Sequence, residues 1–569
     1  MKQMMQRHKN TIILILSSLL ITYIAGYPMF QEGIGGHLGD LTYHLLRIES
    51  VKEALGAGCF PPRVNPVYFE GYGYGTSLFY PDIFLVIPAL LNLVGISPLM
   101  SYKIFMLLVI LTATFTTYYA MKFICNSSEC ALLGTGMLML STFYIADINA
   151  RAGMSEVIAY IFIPLLMVGI YDYFAYEGKR VYLMGIAFVG MALSHTIMTF
   201  IGLLLTTIIF VGMLFVPSKK RVVFEKARFG RLLLTAIFSV IVVSYYVFPM
   251  LEQMVNDRFG FNEPWAQVGS YVQTVESFFV PVGVFLYNAK FGVGVPILVL
   301  LAGRVFLGKV KNRWADFFIC MGLAQFAIMT DMLFWVIMEE TVLNMIQFPY
   351  RFYPYALFMV ICGMTIVLNE KKECKLIGYK ALVFLAILTA ICGLWEAKYC
   401  CRDGYRESID SEYLYENTCM VGRGEWVPEG VTEEVLNGEA VKVVLTEDGS
   451  THILTGLGYN DYQFKVDKVD GCRFIVPLLY YKGYEAELID DDGNQKALEV
   501  SKSHDGLVCI DMSNRADGII HVWYAGTMIQ KISNIISSVA VLGVSTVFVI
   551  YKTRKRKRDK CESVKDICA

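Results

Sequence analysis

Long apolar runs separated by short polar stretches make up most of the chain. Each run is close to the ~20 residues that a helix needs to cross ~30 Å of hydrocarbon. The thirteen candidate spans are 11–30, 78–96, 101–122, 131–148, 156–175, 181–196, 197–216, 232–250, 281–302, 314–338, 349–368, 377–395 and 527–551. This pattern predicts a polytopic α-helical membrane protein. The composition agrees, because only 17% of the residues are charged, whereas soluble domains have about 25%. This composition and the long apolar runs exclude a soluble enzyme, a small disulfide-rich secreted protein and a disordered chain.

The basic residues predict the topology, because Lys and Arg concentrate in cytoplasmic loops. They cluster at 219–231, 304–313, 371–375 and after residue 551. If all thirteen runs crossed the membrane, the basic loop 219–231 would lie outside the cell, which the positive-inside rule disfavours. Run 78–96 contains two prolines and an aspartate, so we interpret it as a re-entrant or juxtamembrane hairpin. About twelve crossings follow, in a cell membrane, with both termini cytoplasmic.

Four regions follow from this topology. Residues 1–395 form a transmembrane domain with an external loop at 31–100. Residues 396–526 form an extracellular domain with 25 acidic and 12 basic residues, whose short runs of alternating polarity predict an antiparallel β-sandwich. Residues 527–551 form a final transmembrane helix, and 552–569 a basic cytoplasmic tail. Because the positive-inside rule explains that tail, we predict no nucleic-acid partner.

The first external loop carries the densest set of reactive side chains. Read as a helix, it places Asp40, His44 and Arg47 at positions i, i+4 and i+7 on one face. That face either lines a site or is the solvated side of an interfacial helix, and Asp40 is also a suitable N-cap. His37 and His44 flank Asp40, so these three residues are candidate ligands of a divalent metal.

The aromatic and glycine-rich run 67–75 follows in the same loop. Tyrosines there suit a loop that closes over a sugar or lipid, because each ring offers an apolar face and a hydroxyl. The same composition suits an aromatic belt at the membrane surface. We favour the belt.

Further charged residues lie at the predicted external ends of later helices. Taken singly, Arg151, Glu156, His195 and Arg351 are interfacial side chains or ion pairs. The predicted topology, however, puts all four on the same membrane face as Asp40. Arginines suit a phosphate group, and an aspartate suits deprotonation of an acceptor hydroxyl or a metal that does so. The lack of a Walker-type loop favours a lipid-linked phosphate donor over a nucleotide.

Several of these residues also form a recognisable pattern. Its segments are Asp40-xxx-His44-xx-Arg47-Ile48-Glu49, Ala54-Leu55, Phe60-Pro61-x-Arg63, Tyr80-Pro81, Arg151-xxxx-Glu156, Ser194-His195 and Gln347-Phe348-Pro349-x-Arg351-Phe352. The pattern resembles bacterial membrane proteins labelled "6-pyruvoyl-tetrahydropterin synthase-related". Through them, about residues 11–370 resemble the GT-C superfamily of polyprenyl-phosphate-sugar-dependent glycosyltransferases.

The resemblance implies the role of Asp40, and the side-chain chemistry on this membrane face predicts the roles of the other residues. Asp40 is the expected catalytic base or metal ligand, with His44 beside it. The arginines expected to bind the donor phosphate are Arg47, Arg63, Arg151 and Arg351. The expected supporting residues are Glu49, Glu156 and His195. Many members carry two adjacent acids in this loop, whereas Gly39 precedes Asp40 here, so metal dependence stays open.

Three functions fit these observations. The first is a GT-C-type glycosyltransferase that moves a sugar from a polyprenyl-phosphate donor to an extracellular lipid, glycan or protein. The second is a flippase or transporter of lipids or glycolipids. The third is a non-catalytic envelope scaffold. The expected partners of the first are the lipid-linked sugar, membrane lipids and the extracellular acceptor.

Overall fold

The chain folds into a helical part followed by a β-domain and a last long helix. The computed structural model describes residues 2–31, 40–262, 267–280, 290–401, 414, 418, 424–447, 449–469, 472–512 and 516–568. His37, a candidate metal ligand, lies outside these residues. So does most of the segment 402–423 that leads into the β-domain.

Twenty α-helices are present in the described residues. They are α1 Lys2–Ala25, α2 Leu41–Gly56, α3 Thr76–Phe79, α4 Val86–Leu93, α5 Pro98–Cys125, α6 Ser128–Met139, α7 Thr142–Ala146, α8 Met154–Ala159, α9 Ile163–Ala175, α10 Tyr182–Ala192, α11 Thr196–Leu214, α12 Pro217–Val223, α13 Lys226–Asn256, α14 Val295–Phe306, α15 Arg313–Met329, α16 Met332–Met338, α17 Tyr353–Glu373, α18 Tyr379–Tyr399, α19 Glu433–Leu436 and α20 Met528–Cys568.

Eight helical segments in the described part of the chain are long and apolar enough to span a membrane. They are His8–Ala25, Pro98–Cys125, Met154–Ala175, Thr196–Leu214, Lys226–Asn256, Pro349–Glu373, Tyr379–Tyr399 and Met528–Thr546. Two bent pairs, with breaks of 48° and 73°, raise the number to 10 if each pair is one span. The protein is therefore a multi-pass membrane protein. Twelve crossings would also require α10 and α14 to span, so that count stays a prediction.

The segment predicted as a hairpin contains no single long helix. Helix α3 ends at Phe79, and an apolar helix resumes at Ile83–Leu93 after the Pro81-Asp82 break. Eleven residues rise about 17 Å, roughly half of the hydrocarbon thickness. This segment alone is too short to cross, and α4 packs against α2 and α5 instead.

The β-domain is one antiparallel sheet of nine strands. The strands are β1 Val444–Thr446, β2 Thr451–His452, β3 Thr455–Gly458, β4 Asp461–Val469, β5 Cys472–Leu479, β6 Tyr484–Ile489, β7 Gln495–Lys502, β8 Leu507–Met512 and β9 Ala516–Tyr524. Their order is β2-β1-β5-β8-β7-β6-β9-β4-β3. Strand β7 pairs with β6 along its first half and with β8 along its second half, so it connects two halves of the sheet. Both halves contribute to one apolar core, around Phe464, Phe474 and Ile510, and the sandwich-like arrangement stays a prediction.

The aromatic run 67–75 joins the β-domain to the helical part. Tyr68, Tyr72 and Tyr74 are buried, and the carbonyl oxygen of Tyr72 accepts a hydrogen bond from the Leu479 backbone N–H at 2.8 Å. A Cβ on Gly75 would lie 2.5 Å from the Tyr481 ring, so only glycine allows this approach. The predicted aromatic belt is therefore wrong: these rings pack inside the protein rather than at the lipid surface.

Cysteine labelling tests the side on which the hairpin emerges. Ser97 is exposed after α4, and Lys220 is exposed in the loop predicted to be cytoplasmic. We expect Ser97→Cys to react with a membrane-impermeant maleimide in intact cells. We expect Lys220→Cys to react only after permeabilisation. Labelling of each variant is compared with labelling of the parent protein, which retains the native cysteines. Labelling of position 97 only after permeabilisation would contradict the predicted topology.

Candidate active site

Asp40 lies at the start of α2, next to Arg151. Its backbone N–H donates a hydrogen bond to the Arg151 carbonyl oxygen at 3.2 Å, and its Oδ2 lies 3.5 Å from Arg151 Nε. Asp40 occupies the N-cap position but its carboxylate makes no capping hydrogen bond. The side chain is 40% exposed, so the carboxylate faces the guanidinium while it remains accessible.

Arg151 is the common partner of three carboxylates. Its Nη1 donates to Asp147 Oδ1 at 2.8 Å and to Glu156 Oε2 at 2.7 Å, in addition to the contact of its Nε with Asp40. The side chains of Asp147 and Glu156 have 0% exposure. The inner carboxylates thus fix the orientation of the guanidinium from the buried side.

The local backbone explains how these groups meet. Asp147–Arg151 forms a widened π-type turn that ends with Ala152 in the left-handed region at φ 57°. Such turns are often found at functional sites. Gly153 follows, and a Cβ there would lie 2.8 Å from Asp147 Oδ1 and 3.1 Å from Arg151 Nη1. Glycine is therefore needed for the close approach of this ion pair.

Arg351 approaches the same cluster from the turn Pro349–Phe352. Its Nε lies 3.8 Å from Glu156 Oε2, and its Nη1 donates to the Ile346 carbonyl oxygen at 2.7 Å and to Gln347 Oε1 at 2.9 Å. One carboxylate oxygen of Glu156 therefore faces both arginines. Within the described residues, no hydrogen bond engages Nη2 of Arg151 or of Arg351.

Arg47 differs from the other two arginines because the protein itself occupies its donors. Its Nε and Nη2 donate to Asp82 Oδ1 at 3.1 and 2.6 Å, and Nη2 also donates to the Pro81 carbonyl oxygen at 2.8 Å. Its Nη1 donates to Ser155 at 3.0 Å and lies 3.4 Å from His44 Nδ1. Because its five N–H groups already have partners, Arg47 holds the hairpin against α2, and these contacts do not support its predicted role in binding a donor phosphate.

The two histidines are buried beside these arginines. Burial, followed by the charges of Arg47 and Arg151, lowers the pKa of His44 well below its usual value. The ring of His44 is therefore neutral, and because Nδ1 faces Arg47, Nε2 carries the proton. His195 Nδ1 accepts a hydrogen bond from the Met198 backbone N–H at 3.2 Å, and its ring lies 5.9 Å from the Tyr80 ring.

Two predicted site residues have other contacts. Glu49 accepts hydrogen bonds from Lys52 at 2.5 Å and from Asn92 at 2.9 Å, which tie α2 to α4. Arg63 contacts Tyr245 in α13 and Asn534 in α20, and not the Arg151 cluster. Their predicted roles at the donor site are not supported by these contacts.

Asp147 is a member of the cluster that the sequence pattern did not single out. It lies four residues before Arg151 inside the run 131–148, which the apolar pattern predicts only as a membrane span. A charged residue inside such a run is itself a signal of function. Tyr160 also donates a hydrogen bond to this carboxylate.

The described side chains do not fit a divalent metal ion. No group of three or more His, Cys, Asp or Glu residues in the described ranges is arranged to hold one. The nearby carboxylates of Asp40, Asp147 and Glu156 all lie on Arg151, so a metal ion there would face a guanidinium. His37 lies outside the described residues.

Comparisons with known proteins give matches only among solved structures. No protein-family model and no curated protein matches the sequence. The fold resembles the cryo-EM structure of arabinofuranosyltransferase AftD from Mycobacteria, with a TM-score of 0.44 and 13% identity over 71% of this chain. It also resembles an oligosaccharyltransferase from Archaeoglobus fulgidus, with a TM-score of 0.33 and 12% identity over 68% of this chain.

The matches cover only part of the length of each solved structure. The present chain spans 28% of the AftD chain and 53% of the oligosaccharyltransferase chain. Activity and substrate therefore rest on the site itself. The resemblance to proteins labelled "6-pyruvoyl-tetrahydropterin synthase-related" stays a prediction.

Substitution of Gly153 tests the packing of the Asp147–Arg151 pair. We expect Gly153→Ala to lower the free energy of unfolding by about 1–3 kcal/mol, because the added methyl group overpacks this contact. Gly212→Ala is the matched control, since Gly212 lies in α11 and a Cβ added there would have nothing within 4 Å, and alanine stabilises a helix there by about 0.5–1 kcal/mol. Thermal unfolding of the purified proteins measures both. Equal melting temperatures for the two variants would contradict the proposed packing.

Proposed function

We propose that this protein is a GT-C-type glycosyltransferase that moves a sugar from a polyprenyl-phosphate donor to an extracellular lipid, glycan or protein. The observation that carries the proposal is the convergence of Asp40, Arg151 and Arg351 on one cluster. These residues come from α2, the widened turn and the turn before α17. The accessible carboxylate of Asp40 thus lies beside the buried guanidinium of Arg151, and Arg351 reaches the same cluster through Glu156.

The donor phosphate would bind to the Nη2 atoms of the two arginines. Nη2 of each guanidinium has no hydrogen-bond partner in the described part of the chain, and charge-assisted bonds to phosphate are among the strongest in proteins. Asp147 and Glu156 hold Arg151 by its Nη1 edge. Because those carboxylates are buried behind the guanidinium, they orient it for an anion on the other side.

The reaction then needs one base and one stabilised leaving group. The acceptor hydroxyl oxygen attacks the anomeric carbon, and Asp40 takes the hydroxyl proton. The bond between the anomeric carbon and the phosphate oxygen breaks, and polyprenyl phosphate leaves with the electron pair. Arg151 and Arg351 stabilise the charge that develops on that phosphate. The products are a new glycosidic bond, protonated Asp40 and the free lipid carrier.

The location of the charges favours transfer over transport. Asp40, Arg151 and Arg351 all lie at helix ends or in the turns beside them. A flippase or transporter of the kind considered above would instead place charges along a path through the helices. The scaffold alternative requires a dispensable helical part, whereas Trp426 and Tyr481 of the C-terminal region belong to the same apolar core as the helices.

Substitution of Asp40 tests the proposed base. We expect Asp40→Asn to reduce transfer by about 100-fold or more, the usual contribution of a general base. The control is Asp316→Asn, because Asp316 is also partly exposed and pairs with an arginine, Arg304, at 2.7 Å. Mass spectrometry of polyprenyl-phosphate-linked sugars and envelope glycans would compare cells with each variant, the wild-type gene and a deletion.

In that comparison, cells with Asp40→Asn should match the deletion, with one lipid-linked sugar accumulated and one glycan reduced. Cells with Asp316→Asn should match the wild type. Immunoblots of membranes must show equal amounts of each variant. Wild-type glycans in cells that carry Asp40→Asn would overturn the proposal.

Substitution of Arg351 tests the proposed phosphate contact without knowledge of the sugar. We expect Arg351→Gln to weaken binding of a short-chain polyprenyl phosphate about tenfold or more, because a hydrogen bond to a charged group contributes roughly 1.5–3 kcal/mol. Microscale thermophoresis in detergent gives the dissociation constants. Arg258→Gln is the control, since Arg258 is 63% exposed at the end of α13. Equal affinities for both variants would contradict the assignment.

A further inference from the structure

Another buried arginine, Arg63, borders a pocket that the proposed reaction does not use. The pocket is a partly open recess between the first external loop, the hairpin and α13. Its lining includes Phe60, Arg63, Ser77, Asp82 and Tyr245. Arg63 is only 8% exposed, so its charge is largely removed from water.

Arg63 has few compensating contacts. Both of its hydrogen bonds come from one nitrogen: Nη2 donates to the Tyr245 carbonyl oxygen and to Asn534 Oδ1, each at 2.8 Å. In the described part of the chain, Nε and Nη1 make no hydrogen bond and Arg63 forms no ion pair. A buried cation without a counter-ion is costly. Burial accordingly lowers the pKa of Arg63.

The carboxylate that lines the same pocket is already neutralised by other groups. Asp82 Oδ1 accepts two hydrogen bonds from Arg47, at 3.1 and 2.6 Å, and Asp82 Oδ2 accepts one from Ser77. Asp82 therefore belongs to the Arg47 network. The positive charge of Arg63 is left for a ligand of opposite charge.

The surroundings of the pocket are those of a membrane interface. Asn534 lies within two turns of the start of α20, and Ser537 of the same helix bonds to Ser244 of α13 at 2.9 Å. Apolar side chains near the pocket face outward: Phe60 is 52% exposed and Ile535 is 65% exposed. Both α13 and α20 contain segments apolar enough to span a membrane, so these exposed side chains suit contact with the acyl chains of a lipid.

We propose that this pocket binds the phosphate headgroup of an anionic lipid of the outer leaflet, with Nε and Nη1 of Arg63 as its donors. The acyl chains would lie along the exposed apolar side chains beside α20. This site is separate from the Asp40–Arg151–Arg351 cluster, and it does not depend on the proposed transferase activity. A bound lipid here would hold the external loop against α13 and α20.

The first experiment measures the melting temperature of the full-length protein in detergent with three additives. Phosphatidylglycerol should raise the melting temperature in a saturable way. Phosphatidylcholine, which has no net charge, and inorganic phosphate, which has no chains, should not. An equal rise with inorganic phosphate would replace the lipid site with a simple anion site, and no response to phosphatidylglycerol would overturn the proposal.

Variants then assign the effect to Arg63. Arg63→Gln should weaken the apparent affinity for phosphatidylglycerol about tenfold or more, whereas Arg258→Gln at the exposed end of α13 should leave it unchanged. An equal loss in both variants would mean general attraction to negative lipid and would overturn the site.

Asn534→Asp provides a test that does not require the loss of Arg63. Asn534 Oδ1 already lies 2.8 Å from Arg63 Nη2, so an aspartate there supplies a counter-ion within the protein. We expect this variant to melt at a higher temperature than the wild type without lipid and to lose most of the response to phosphatidylglycerol. A full lipid response in Asn534→Asp would contradict the proposal, even if Arg63→Gln fails to fold.

Discussion

The pairing of one buried guanidinium with three carboxylates organises the candidate site. Arg151 can lie below the surface only because Asp147, Glu156 and Asp40 surround it, since an isolated buried charge is costly. The widened turn and Gly153 serve the same need for charge compensation, because they bring Asp147 within hydrogen-bond distance of Arg151. The contact between Asp40 and Arg151 also connects the first external loop to the later helices. The position of that loop therefore depends on residues more than a hundred positions away in the sequence.

Sequence patterns were sufficient for the general architecture and for most members of this cluster. Apolar runs predict helices because the hydrocarbon core imposes their length, and most of the predicted spans coincide with helices or bent helix pairs. The positive-inside rule then selects a topology that collects Asp40, Arg151, Glu156 and Arg351 on one face. These residues prove to be neighbours in the structure. Their catalytic roles stay proposals.

Other features depend on partners that no local pattern shows. Arg47 donates to Asp82, 35 residues away, and Arg63 donates to Asn534, 471 residues away, so neither arginine pairs with the carboxylates around Arg151. The tyrosines of the run 67–75 have the composition of a membrane belt but are covered by the β-domain. The sequence pattern does not identify Asp147 as a site residue, because the apolar residues around it dominate the mean hydropathy of its segment. Strand β7 likewise pairs with strands from both halves of the nine-stranded sheet. The alternation of polar and apolar residues in the sequence does not reveal which strands pair.

The most direct measurement of the central claim is a cryo-EM map of the wild-type protein with a polyprenyl phosphate bound. We expect density for the phosphate within hydrogen-bond distance of Nη2 of both Arg151 and Arg351, with the Asp40 carboxylate on the side open to an acceptor. A phosphate bound only at Arg63, or one that contacts neither Arg151 nor Arg351, would contradict the claim.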